Sequence, residues 1–188
     1  MKKIIKAMNL LNKQRILLLI LTMATSFAVN GQTESEQLKG VTDSLFNQGR
    51  IKFNNGKFEE ALNDFRAVVK LDASHVNALL QCGFCNAILK NYNEAVTDFS
   101  GVIALQPEHE WAYVSRGSAY NKLEQYEKAM DDFNVALKLK PDDAEAYNNR
   151  GFSKKMLGDK TGACEDWNKS KKLGNEEAKI ILKNNYCK

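Results

Sequence analysis

One spacing, kept without error along most of the chain, constrains this sequence more than any other feature. Glycine recurs at Gly49, Gly83, Gly117 and Gly151, and alanine at Ala61, Ala95, Ala129 and Ala163. Four residues after each alanine stands a large aromatic: Phe65, Phe99, Phe133 and Trp167. A fixed period of this size marks a solenoid, whose units bury their apolar faces only against their neighbours. Such a fold presents long open surfaces, so binding another chain suits it better than catalysis.

The units are 42–75, 76–109, 110–143 and 144–177, with no insertion or deletion between them. Leu71, Leu105, Leu139 and Leu173 close their second halves, and Pro107 and Pro141 mark two junctions. Each unit holds two apolar patterns of helical spacing. Polar breaks at Gly56-Lys57, Lys90-Asn91, Glu124-Gln125 and Gly158-Asp159 separate them. Glycine inside a helix costs about 1 kcal/mol relative to alanine, so one glycine per unit implies a steric need. The simplest need is close approach of the partner helix at the repeated alanine, with the aromatic filling the space beside it. Glu59, Glu60, Glu94 and Glu127 fall in the first turns of the second helices, where the helix dipole favours acids.

This pattern resembles the tetratricopeptide repeat over residues 42–177. The resemblance implies an all-α fold: a right-handed α-solenoid of four helix–turn–helix repeats. A solenoid exposes the apolar side of its last helix unless something covers it. Residues 178–188, with Ile180, Ile181, Leu182 and Tyr186, have the pattern of a capping helix.

In the family resembled, the first helices line a concave groove that takes peptides or partner helices. Carried onto this chain, the groove positions are Phe46, Asn47, Arg50 and Phe53 in the first unit and Leu80, Gln81, Phe84 and Ile88 in the second. The third unit supplies Trp111, Val114, Ser115 and Ser118, and the fourth Asn148, Asn149, Phe152 and Met156. Aromatic pockets there would take side chains while amides pair with peptide backbone. One subtype of the family grips a C-terminal carboxylate through lysine, asparagine and arginine. Phe46, Gln81 and Ser115 stand where those groups belong, so that specificity is not expected.

Residues 1–31 read as a secretory signal peptide. Lys2, Lys3, Lys6, Lys13 and Arg15 precede an apolar run, Ile16–Val29, and small residues follow. Fourteen helical residues span roughly 21 Å, short of a ~30 Å hydrocarbon core. Cleavage is expected after Gly31 or after Ala28; an uncleaved segment would instead anchor the chain to a membrane. The chain carries +4 overall, but residues 1–31 hold five of the 27 basic residues and none of the 23 acidic ones. The remaining 22 basic and 23 acidic residues leave −1, with no basic stripe for nucleic acid. Residues 32–41 read as a polar, flexible lead-in.

Few residues point to chemistry. Cys82 and Cys85 have the spacing of a redox pair, yet they fall mid-helix and Gly83 belongs to the period, which favours two packed small residues. His75 and His109 fall at junctions, and Asp64, Asp98, Asp132 and Asp166 recur with the period, as structural residues do. Cys164 and Cys187 are either a disulfide, which an oxidising compartment permits, or two separate buried thiols. The expectation is a non-enzymatic, exported scaffold or adaptor that binds protein or peptide, without cofactor, metal, nucleic acid or small-molecule substrate. A chaperone-like holder of unfolded exported chains is the alternative.

Overall fold

A computed structural model describes residue 33, residues 35–184 and residue 187. The expected signal segment, and Tyr186 of the expected cap, lie outside the described residues. The chain divides into two units, Met1–Ser44 and Leu45–Lys188. In the first, residues 35–44 are helical. This replaces the flexible lead-in expected there, and Glu36, Gln37, Leu38 and Lys39 are good helix formers.

The second unit is an all-α repeat solenoid. Helix α1 covers residues 45–54. Then follow α2 (Phe58–Leu71), α3 (Val76–Ile88), α4 (Tyr92–Leu105), α5 (Glu110–Lys122), α6 (Tyr126–Leu139), α7 (Ala144–Met156), α8 (Lys160–Lys172) and α9 (Glu176–Lys183). Each helix from α2 onward packs on its sequence neighbours, and α5 also touches α3 and α7. The first helices of successive units therefore stand side by side.

Two kinds of turn set this register. Between units, the side chains of His75, His109, Asp143 and Asn175 accept hydrogen bonds from the N–H three residues on, at Ala78, Ala112, Ala146 and Ala178. These caps satisfy donors that the first turn of a helix leaves unpaired. Within units, the residue opening the break is left-handed: Gly56 (φ 76°), Lys90 (64°), Glu124 (60°) and Gly158 (87°). The last helix begins at Glu176, two residues before the expected cap, because the Gly174-Asn175 turn shortens the final junction.

The core lies between units. Ala61 and Phe65 pack with Cys82 and Cys85 of the next unit, and Ala95 and Phe99 with Ala119. Ala129 and Phe133 meet Ala146, and Ala163 and Trp167 meet Ala178 of α9. Helix α9 thus takes the place of a fifth first helix. The repeated glycine has a different cause from the one expected. A Cβ on Gly49, Gly117 or Gly151 would meet the ring of Phe65, Phe133 or Trp167 at 2.7–2.8 Å, and one on Gly83 would run into Phe99. The aromatic ring itself occupies the space of the missing side chain; at Gly151 the Ala163 carbonyl is also near, at 3.2 Å.

Candidate functional site: a two-chambered groove along the first helices

Two adjoining cavities open along α3, α5, α7 and α9. The first, of about 240 Å³, is lined by Phe84, Ala87, Tyr92, Phe99, Ser115, Ser118, Ala119 and Lys122. The second, of about 200 Å³, is lined by Ser118, Asn121, Lys122, Asn148, Asn149, Phe152, Glu177 and Ile181. Ser118 and Lys122 belong to both, so the cavities form one groove with a shared wall.

The two chambers differ in chemistry. The first is apolar; Phe84 stands edge-on to Phe99 with ring centroids 5.5 Å apart. The second is an amide network. Asn121 Nδ2 donates to the Asn149 carbonyl at 3.2 Å, and Asn149 Nδ2 to Ser118 Oγ at 3.1 Å. Ser153 Oγ donates to Asn121 Oδ1 at 2.7 Å, and Asn148 Nδ2 to Glu177 Oε2 at 2.8 Å. The Asn148 carbonyl accepts from the Trp167 indole at 3.2 Å. Asn148 Oδ1 is buried with no partner among the described residues. Partial burial and the charge of Asp143, with a further contribution from Glu177, hold the nearby Glu145 carboxyl above its ordinary value.

Of the residues expected to face the groove, Phe84, Ser115, Ser118, Asn148, Asn149 and Phe152 line the cavities. Three others do not face it. Val114 is buried in the core around Phe133. Phe46 packs on Phe65 and His75, and Leu80 on the Phe99 cluster. Phe53, one period before Ala87 and two before Asn121 of the cavity walls, packs on Phe58. Phe46, Leu80 and Val114 share a column with the buried Asn148 and precede Ser115 and its equivalents by one residue, which rotates the side chain about 100° around the helix toward the inter-helix core; in the last unit that core borders the second cavity. Asn47, Arg50, Ile88 and Met156 are exposed, and Gln81 is half-buried, without lining either cavity. Trp111 is 56 % exposed and stands beside Lys140, whose Nζ lies 6.0 Å from the ring centroid.

Sequence reasoning missed Tyr92, Asn121, Lys122, Glu177 and Ile181. Lys122 was legible, since it stands one full period from both Ile88 and Met156. Glu177 and Ile181 become legible once Asn175 is recognised as the cap: counted from it, they take the places of Glu145 and Asn149.

The cysteines divide into two pairs. Cys164 on α8 and Cys187 are disulfide-bonded, with Cα atoms 5.7 Å apart. Cys82 and Cys85 are free and buried, and burial pushes their thiols up to about 12 and about 11. Thiols so hard to ionise are poor nucleophiles, which favours two packed small residues over a redox pair. Among the described residues no cluster of three or more acidic, histidine or cysteine side chains is arranged to hold a metal.

Comparison with known proteins agrees with this architecture. Residues 42–75 match a family described as tetratricopeptide repeat, and residues 117–158 match one described as TPR repeat. Among curated proteins nothing matches the sequence. Among solved structures, MamA 41-end from Desulfovibrio magneticus RS-1 is similar at 28% identity and TM-score 0.67, over 70% of this chain and 75% of that one. A MamA RS-1 ArsTM double mutant gives 26% identity and TM-score 0.68, over 71% and 75%. The first TPR of Spaghetti (RPAP3), solved bound to the HSP90 peptide SRMEEVD, gives 25% and 0.61, over 63% of this chain and 94% of that one. Repeats of this kind serve as scaffolds for protein–protein interaction. Period, helix pairing, the two repeat matches and the structural neighbours together support a TPR protein.

Proposed function

We propose that this protein is an exported, non-enzymatic adaptor of the cell envelope that holds a segment of a partner protein in the groove of α3, α5, α7 and α9. The observation that carries this reading is the pair of joined cavities along the first-helix face, one apolar and one amide-lined. An apolar chamber takes a side chain, and amides match peptide backbone. The peptide-bound structural neighbour supports the same use of the fold. Export is supported by the order of residues 1–31 and by the Cys164–Cys187 bond, which an oxidising compartment maintains.

The test is site-specific photo-crosslinking in the full chain from position 115, on the groove, and from Lys138, an exposed residue of α6. One partner is captured saturably from position 115 alone. Phe84→Ala then weakens its binding about tenfold, ~1.4 kcal/mol, and Trp111→Ala leaves it unchanged. Phe99→Ala is the control for a core change, at about 3–5 kcal/mol of stability. Equal capture from both positions, or normal binding by the Phe84→Ala protein, overturns the reading. Weak, unsaturable capture of many unfolded chains from position 115 favours the chaperone-like alternative.

A further inference from the structure

We infer that the second chamber selects a basic side chain, lysine or arginine, from a partner segment whose apolar side chain occupies the first. This deepens the adaptor reading and rests on it. The second chamber asks for a hydrogen-bond donor. The side-chain amides of Asn121, Asn148 and Asn149 already donate within the site. Asn148 is only 4 % exposed, and its Oδ1 is an acceptor left without a partner among the described residues. A buried acceptor in that state carries a desolvation cost that an incoming N–H removes.

Charge chooses among donors. The Glu177 carboxylate forms part of the same wall and is fixed by Asn148 Nδ2. Glu145 lies one helix away on α7, its carboxyl held up partly by the charge of Glu177. Lys122, on the wall shared with the apolar chamber, is a cation of the same lining. A ligand carboxylate in the second chamber would meet Glu177 and leave Asn148 Oδ1 unpaired. A lysine or arginine head pairs with the Glu177 carboxylate, and one drawn in beside Asn148 supplies the donor that its Oδ1 lacks. Its aliphatic stem has a matching surface in Phe152 and Ile181, since such side chains bury their stems while keeping the head in a polar setting.

Geometry sets the spacing. The chambers lie on either side of α5, and neighbouring helix axes stand roughly 8–10 Å apart. An extended chain advances about 3.3 Å per residue, which places the basic residue about three positions from the apolar one. The cap is part of the selection, because Glu177 and Ile181 both come from α9.

The test is selection from an immobilised decapeptide library, leucine fixed at the centre and all other positions randomised, by the full-length protein. Lysine and arginine are expected to be enriched at least tenfold over glutamate at two to four residues from the leucine. In the Glu177→Gln protein, an exposed substitution, that enrichment falls at least threefold while a companion library with the leucine position randomised still selects an apolar residue. Retention of peptides with no basic preference, or with acidic residues preferred, overturns the inference and leaves the adaptor reading standing. Retention of no peptide overturns both.

Discussion

At the scale of single residues, the recurring aspartates have an energetic explanation. Arg116 donates to both oxygens of Asp132, and Arg150 to both oxygens of Asp166, sixteen residues on in the same unit. Each guanidinium also reaches the preceding unit, at Ser100 or Asn134. In the second unit the arginine position holds Cys82, and the guanidinium comes instead from Arg66, one full period before Ser100, which donates to both oxygens of Asp98. The two residues have exchanged roles and the charge balance is kept. Asp98 is 2 % exposed, and burial raises its carboxyl against the pull of Arg66. Arg66 is itself 42 % exposed, so removing it costs chiefly the unsatisfied buried carboxylate it leaves behind, about 1–3 kcal/mol. Arg66→Ser should therefore lower stability by about that amount in urea unfolding, and Arg66→Ser with Cys82→Arg should recover much of it by recreating the Arg116 arrangement. No loss in the single variant would remove the ion pair's structural role. A second residue-scale prediction concerns pH. Burial first, then Asp143 through a hydrogen bond and its charge, push the Glu110 carboxyl from 4.5 to about 7, and Lys140 opposes them. Folding thus favours protonated Glu110. Its contribution to stability is complete below about pH 4.5 and is lost as pH rises through about 7. Melting temperatures measured across that window should fall less in Glu110→Gln than in the unaltered protein. Parallel curves would sink the assignment.

At the scale of elements, the disulfide and the cap act together. Cys164 and Cys187 close a loop across 23 residues that contains all of α9. In the chain-entropy view such a loop is worth about 3 kcal/mol. Cys187→Ser should lose about that much and speed amide exchange first in α9, since Ala178 of α9 is what covers Trp167. Uniform exchange along the solenoid would mean that the bond does not act through the cap. Element order was legible in the sequence because a fixed period repeats every local decision four times. Helix pairing and the breaks follow from it; the start of the cap does not, because the Gly174-Asn175 turn shortens the final junction by two residues. The groove was less legible. The period identifies columns of equivalent residues but not the direction in which a column points. Val114 and Ser115 are adjacent in sequence, yet one lies under Phe133 and the other on the groove. Separating them needs the crossing of neighbouring helices, which no single unit encodes. The glycine column shows the same limit. Its need for space was readable, but not that an aromatic ring fills it.

At the scale of the whole molecule, charge, cysteine state and the order of residues 1–31 bear together on where the chain works. Without residues 1–31 the chain is close to neutral at −1, so its basic character belongs to that segment and nothing in the repeats favours nucleic acid. Two of its four cysteines are bonded, and the other two are buried thiols too hard to ionise for easy oxidation. A chain in that state has no reactive thiol to lose in an oxidising compartment. Among the described residues no helix is long and apolar enough to cross a membrane. The expectation is cleavage after Gly31 or Ala28. Intact mass of the protein isolated from its own compartment should begin at Gln32 or Val29 and be lower by the two hydrogens of one disulfide. The same sample denatured without reductant should take up two equivalents of alkylating agent, at Cys82 and Cys85. A mass that begins at Met1 would make residues 1–31 an anchor. Four alkylated thiols in freshly isolated protein would place the chain in a reducing compartment and remove the export reading.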